Sequence, residues 1–132
     1  MRRHYRQVEA VLAAQAAVAL LGAVLQVRFR SIEAMNRWAL PRQRGNRRVD
    51  ELLLAFRRAA DRLGGTCLVR ALALRRFLAL HGHATELRIG VASGPIGLRA
   101  HAWLLEGERI LIGDGDEAAT FTVLTTWFGR EA

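Results

Sequence analysis

The hydrophobic period of this chain changes once, at His81-Gly82, and that change constrains the fold more than any other feature. Before it, apolar residues recur every three to four positions, as on helix faces. After it they alternate, as along half-buried strands: Leu87, Ile89 and Val91 against Glu86, Arg88 and Gly90. Helical segments therefore precede strands, and the expected fold class is α+β, with N-terminal helices leading to a helix packed on a small antiparallel sheet.

The helical half divides at its breakers. Residues 5–28 read as one helix whose core, Ala10 to Val27, is apolar except for Gln15 and Gln26. At 18 residues, seven of them alanine, that core is short and weak for a membrane span. No cleavage site follows it, which disfavours a signal peptide. Val11, Val18, Leu21 and Leu25 form a stripe that Leu20, Val24 and Val27 widen; the expectation is a well-buried core helix, and the sharper alternative is a membrane-facing or partner-facing one. Residues 31–39 make a short helix capped by Ser31 and ended by Leu40-Pro41. A basic loop, residues 42–48, leads into an amphipathic helix from about Arg48 to Leu63, with Val49, Leu52, Leu53, Phe56, Ala60 and Leu63 on one side. Gly64-Gly65 stops it. Thr66 then caps a new helix that begins at Cys67 and ends at His81-Gly82.

In the strand half, residues 93–97 form a loop and Arg99 to Leu105 alternates again. His101, Trp103 and Leu105 fall on one face, and Ala100, Ala102 and Leu104 on the other. Glu106-Gly107-Glu108 is a hairpin turn, Arg109 to Ile112 returns, and Thr120 to Leu124 adds an edge strand.

With 132 residues the expectation is a single domain, helical over 1–63 and carrying its chemistry over 64–132. One cysteine excludes an internal disulfide. All 20 basic residues are arginine. Residues 1–62 hold 13 arginines and 5 acidic residues, whereas residues 63–132 hold 7 of each. The cationic half suits an anionic partner or a lipid surface, or is a solvated arginine face. No nucleic-acid-binding motif accompanies the arginines, so nucleic acid is not an expected partner.

The chemistry converges on three residues. Unpaired N–H groups and the macrodipole at a helix start favour negative charge, which suits the Cys67 thiolate. His101 follows 34 residues later on a strand, and Asp114 follows 13 further on, just past another strand. Covalent amide cleavage needs a nucleophile, a base that becomes an acid, and a group that orients the imidazole. Cys67, His101 and Asp114 match those needs, with the Cys67 backbone N–H as an oxyanion donor. Each also has a bland reading: a small core thiol, a structural strand histidine and a turn aspartate. Asp116 competes for the third role. His81 and His83 lack partners at ligand spacing and flank a helix end, so neither a metal nor another cofactor is expected.

The order of thiol, histidine and aspartate is that of papain-like and transglutaminase-like enzymes. More specifically, residues 64–124 resemble the leader peptidases of lasso-peptide biosynthesis, the B2 proteins of the transglutaminase-like superfamily. The matching stretches are Cys67-Leu-Val-Arg70, Leu80-His-Gly82, Leu87-Arg-Ile-Gly-Val91, Ala100-His-Ala-Trp-Leu104, Ile112-Gly-Asp114 and the Phe121 to Leu124 tail. The resemblance implies a papain/transglutaminase-like fold and a cysteine peptidase with Cys67 as nucleophile, His101 as base and Asp114 as orienting acid. It implies removal of the leader from a ribosomally made precursor peptide. Implied partners are that precursor, a separate leader-recognition protein (B1) and the ATP-dependent cyclase that closes the ring. With no recognisable leader-binding domain, the chain is expected to depend on the recognition protein. The expected location is cytoplasmic, with weak peripheral association at the inner membrane face. Rival readings are a transglutaminase-like acyl transferase and a non-catalytic module that binds a membrane or a partner.

Overall fold

The computed structural model describes residues 2–41, 45, 47–95, 97–113 and 121–127. Four helices precede four strands: α1 (Arg2–Phe29), α2 (Ile32–Trp38), α3 (Val49–Leu63), α4 (Cys67–Leu80), β1 (Glu86–Gly94), β2 (Gly97–Glu106), β3 (Arg109–Ile112) and β4 (Thr122–Trp127). The fold is α+β, and every pairing in its sheet is antiparallel, in the order β3-β2-β1-β4. Local chemistry sets the boundaries. Ser31 Oγ accepts from the Ala34 N–H at 3.2 Å and Thr66 Oγ1 from the Val69 N–H at 3.3 Å, each satisfying a first-turn donor that its helix cannot. Gly64, at φ 73°, ends α3 in a conformation that other residues adopt at a cost.

The main core lies between the helices and one face of the sheet. Its centre is α4, where Ala71, Leu72, Ala73, Leu74, Phe77 and Leu78 are all buried. One side of α4 meets α1 and the other meets the sheet, chiefly β2. Ala102 and Leu104 of β2 join this core, whereas Trp103, Leu105 and Phe121 form a second cluster. The strand alternation read from the sequence is therefore realised.

The expected core helix α1 is buried on one face only. The fold buries Leu12, Ala16, Ala19, Leu20 and Ala23. The stripe of Val11, Val18, Leu21 and Leu25 faces outward, with Val18 67% exposed against 2% for Leu20. Hydropathy favours the stripe of larger residues. Close packing favours the alanine side, which lets the backbones of α1 and α4 approach without displaced bulk. Gly22 serves the same end: a Cβ there would stand 2.6 Å from the Trp38 ring.

Arg75 sits in the middle of apolar α4 and is fully buried. Its guanidinium donates to the Thr85 carbonyl at 2.7 Å, just ahead of β1, and to the Trp127 carbonyl at 3.0 Å, at the end of β4. It also reaches Asn36 Oδ1 of α2 at 3.5 Å. Burial pulls its pKa down to about 10, and the nearby Glu86 opposes that, so it stays charged at neutral pH. At the end of α4, His81 Nε2 lies 2.8 Å from Gln15 Oε1, and its ring meets Phe77 edge-on at 5.4 Å. His83 Nε2 lies 2.6 Å from the Arg47 carbonyl.

Two outcomes follow. Arg75→Met leaves the Thr85 and Trp127 carbonyls without their donor, and should cost about 3 kcal/mol in urea denaturation. His81 is held below its ordinary 6.5 by burial first, and then by repulsion from Arg47 and His83. Below that pH the unfolded chain takes up a proton that folded His81 resists. Its contribution to stability is therefore complete above about 6.5 and is lost as pH falls toward the lowered value. Thermal melts of His81→Gln should show a flatter acid limb than the parent.

Candidate active site

Cys67 opens α4 and is partly buried. Because Thr66 is the N-cap, the Cys67 N–H belongs to the first turn, where a helix supplies no acceptor for it. Packing of α4 on β2 brings this end of the helix to His101. Cys67 and His101 line one cavity of about 230 Å³, closed by Gly65 and Arg70 on the helix side and by Ala102, Ile112 and Gly113 on the sheet side. Pockets that enclose a whole small molecule span roughly 300–1,000 Å³, so this cavity is smaller than those. A larger groove of about 920 Å³ runs between α1 and α3, away from both residues.

His101 reaches this cavity from the edge of its strand. Its ring stacks on Trp103 at 5.9 Å and meets Phe121 at 5.2 Å, so it belongs with the cluster outside the main core. β3 pairs with β2 only from Leu104 onward, and it ends at Ile112. β3 thus does not pair with β2 beside His101. His101 Nε2 is buried and has no hydrogen-bond partner among the described residues. No described hydrogen bond joins it to Cys67. In enzymes lacking substrate, such bonds are often long and tighten in the complex.

Two glycines shape this arrangement. Gly90 stands opposite His101 in the β1–β2 register, and a Cβ on it would lie 2.9 Å from the Thr122 carbonyl and 3.0 Å from the Trp103 ring. Gly113 has φ 104°, and a Cβ on it would come within 2.5 Å of Trp103 Cβ. Trp103 therefore packs directly on the backbone that leaves β3. Asp114, the expected orienting acid, follows Gly113 in the chain. It lies outside the described residues, as does its competitor Asp116.

The sequence reading assigned Arg70 no role, yet it lines the cavity, and its Nε is buried without a hydrogen-bond partner among the described residues. The available signal was spacing: three residues after Cys67 is the same helix face. His81 and His83 lie away from this cavity, in the contacts that tie the end of α4 to Gln15 and Arg47. Among the described residues no cluster of His, Cys, Asp and Glu could hold a metal ion.

Gly113→Ala should disturb the Trp103 environment, seen in near-UV circular dichroism, and destabilise the chain by about 2 kcal/mol or more through combined overpacking and backbone strain. Gly107→Ala is the control: its φ is 60°, but the space around it is open, so it should cost about 1 kcal/mol and leave the Trp103 signal unchanged.

No curated protein and no solved structure matches the chain significantly. A family model does: that of the transglutaminase-like superfamily, over residues 10–126. The match spans both the helices and the sheet that carry this cavity, including Cys67 and His101, and the chain belongs to the transglutaminase-like superfamily.

Proposed function

We propose that this chain is a cysteine peptidase that removes the leader from a ribosomally made lasso-peptide precursor. Membership of the superfamily supports cysteine-dependent peptidase or acyl-transfer chemistry in general. The observation that carries the reading is the one cavity shared by Cys67, at a helix start, and His101. The narrower assignment, to leader removal, rests on the resemblance in the Cys67 to Leu74, Ala100 to Leu104 and Ile112 to Asp114 stretches.

In this reading His101 takes the Cys67 proton, and the thiolate adds to the scissile carbonyl. The oxyanion that forms is held by the Cys67 N–H, and the positive charge of Arg70 lies in the same cavity. Collapse of the intermediate breaks the C–N bond as His101 protonates the departing amine, which is the new N-terminus of the core peptide. Water, deprotonated by His101, then attacks the thioester, releasing the leader as a carboxylate and restoring the thiol. Asp114 would hold the imidazole in the required orientation. A separate recognition protein would present the leader, and the cyclase would consume the freed core.

The test is incubation of a candidate precursor and its recognition protein with the enzyme, read by mass spectrometry. Leader and core fragments are expected, with none from Cys67→Ala or Cys67→Ser although both variants fold. Asp114→Ala should slow turnover about a hundredfold or more, and more than Asp116→Ala does. Undiminished cleavage by Cys67→Ala would overturn the peptidase assignment. An amine-adduct mass in place of hydrolysis, with a primary amine added, would make the chain an acyl transferase.

A further inference from the structure

The outward face of α1 is an apolar surface that the fold does not use. An 18-residue window within Gln7–Phe29 has a mean hydropathy of 2.1, and only 28% of that window is buried. From Ala10 to Val27 the chain carries no charged residue. Val11, Val18, Leu21, Leu25 and Phe29 are all exposed, and the stripe from Val11 to Phe29 is about 27 Å long. Isolated exposed apolar residues are ordinary on a protein surface, but a continuous stripe of this length is not.

Charge identifies what covers it. Arg28 and Arg30 are exposed at one end, and the Arg28 guanidinium lies 5.6 Å from the Phe29 ring centroid. The other end of the helix carries Arg2, Arg3 and Arg6 in sequence, and Glu9 is its one acidic residue. A second copy packed along this face, parallel or antiparallel, would bring arginine-bearing ends together, so self-association is disfavoured. The groove beside the stripe is lined by Arg47, Arg58 and Arg62 against Glu9 and Glu51, and the aliphatic stems of the arginines can lie on apolar surface while their charges stay hydrated. A long apolar stripe bracketed by arginines matches the layering of an anionic bilayer, with acyl chains beneath phosphate headgroups.

We propose that α1 lies flat on the surface of an anionic phospholipid bilayer, its Val11–Phe29 stripe among the acyl chains and its arginines on the headgroups. The helix rests on the bilayer instead of spanning it. Its opposite face, through Leu12, Ala16, Ala19, Leu20 and Ala23, is committed to the protein core, and crossing would strip that face from α3 and α4.

The test is cosedimentation of the intact chain with vesicles of phosphatidylcholine alone and of phosphatidylcholine mixed with phosphatidylglycerol. Binding is expected on the mixed vesicles and not on the neutral ones, and it should fall as salt is raised. The pair Val18→Glu and Leu25→Glu, on exposed sites, should weaken binding at least about tenfold. If that pair alters the circular dichroism spectrum, Arg28→Gln with Arg30→Gln carries the test, with a loss of about tenfold or more expected. No binding to anionic vesicles, equal binding to neutral ones, or binding untouched by the substitutions would overturn the proposal. So would a dimer in sedimentation velocity that the same substitutions break, which would assign the face to a second copy. The readout needs no substrate, so its failure leaves the peptidase assignment where it stood.

Discussion

The structure depends on the placement of α4, and one buried arginine holds that helix in register with the sheet. Arg75 donates to backbone carbonyls at the entrance to β1 and at the end of β4, two points on strands that pair with each other. A purely apolar helix could slide or rotate on an apolar sheet at little cost, because dispersion and burial are nondirectional. Hydrogen bonds from a charged, buried donor are directional and expensive to lose. Arg75 thus converts generic packing into one position, and that position sets where Cys67 stands relative to β2.

The site follows from two further constraints of a steric kind. Cys67 reaches the cavity because Thr66 ends the turn after α3 and starts α4 there. His101 lies beyond the stretch of β2 that β3 pairs with, which begins at Leu104. Trp103 and Phe121 then support the imidazole ring, on ground that Gly90 and Gly113 keep free of side-chain atoms. In the proposed reaction, a rigid aromatic backing of this kind would lower the freedom of a ring that has to meet both a thiol and a substrate. Among the described residues that line the larger groove between α1 and α3 there is no thiol or imidazole.

The helical half does two jobs that its composition blends together. Alanines on one side of α1 let it approach α4 closely, and larger aliphatic residues on the other side remain outside. The arginine excess before residue 63 shares this half of the molecule, while the half with the cavity is charge-balanced. The arginine excess and the cavity-bearing segment are thus segregated along the chain.

Most of the element map was legible in the sequence. Periods of 3.6 and 2, together with Ser31, Thr66, Gly64 and Gly82, placed the helices and strands, because caps and side-chain periodicity are local properties. Cys67 and His101 were legible as residue types at marked positions, and the superfamily was legible in the motifs around them. Three features needed the tertiary structure. The buried face of α1 was decided by interhelical distance, which rewards small residues in a way that hydropathy does not register. Nothing in the sequence marks Arg75 out, since its acceptors come from Thr85 and from Trp127, 52 residues away. Arg70 became part of the cavity only once α4 was laid on β2. Each of these depends on which surfaces meet, and a linear pattern records spacing along the chain but not the identity of the surface across the gap.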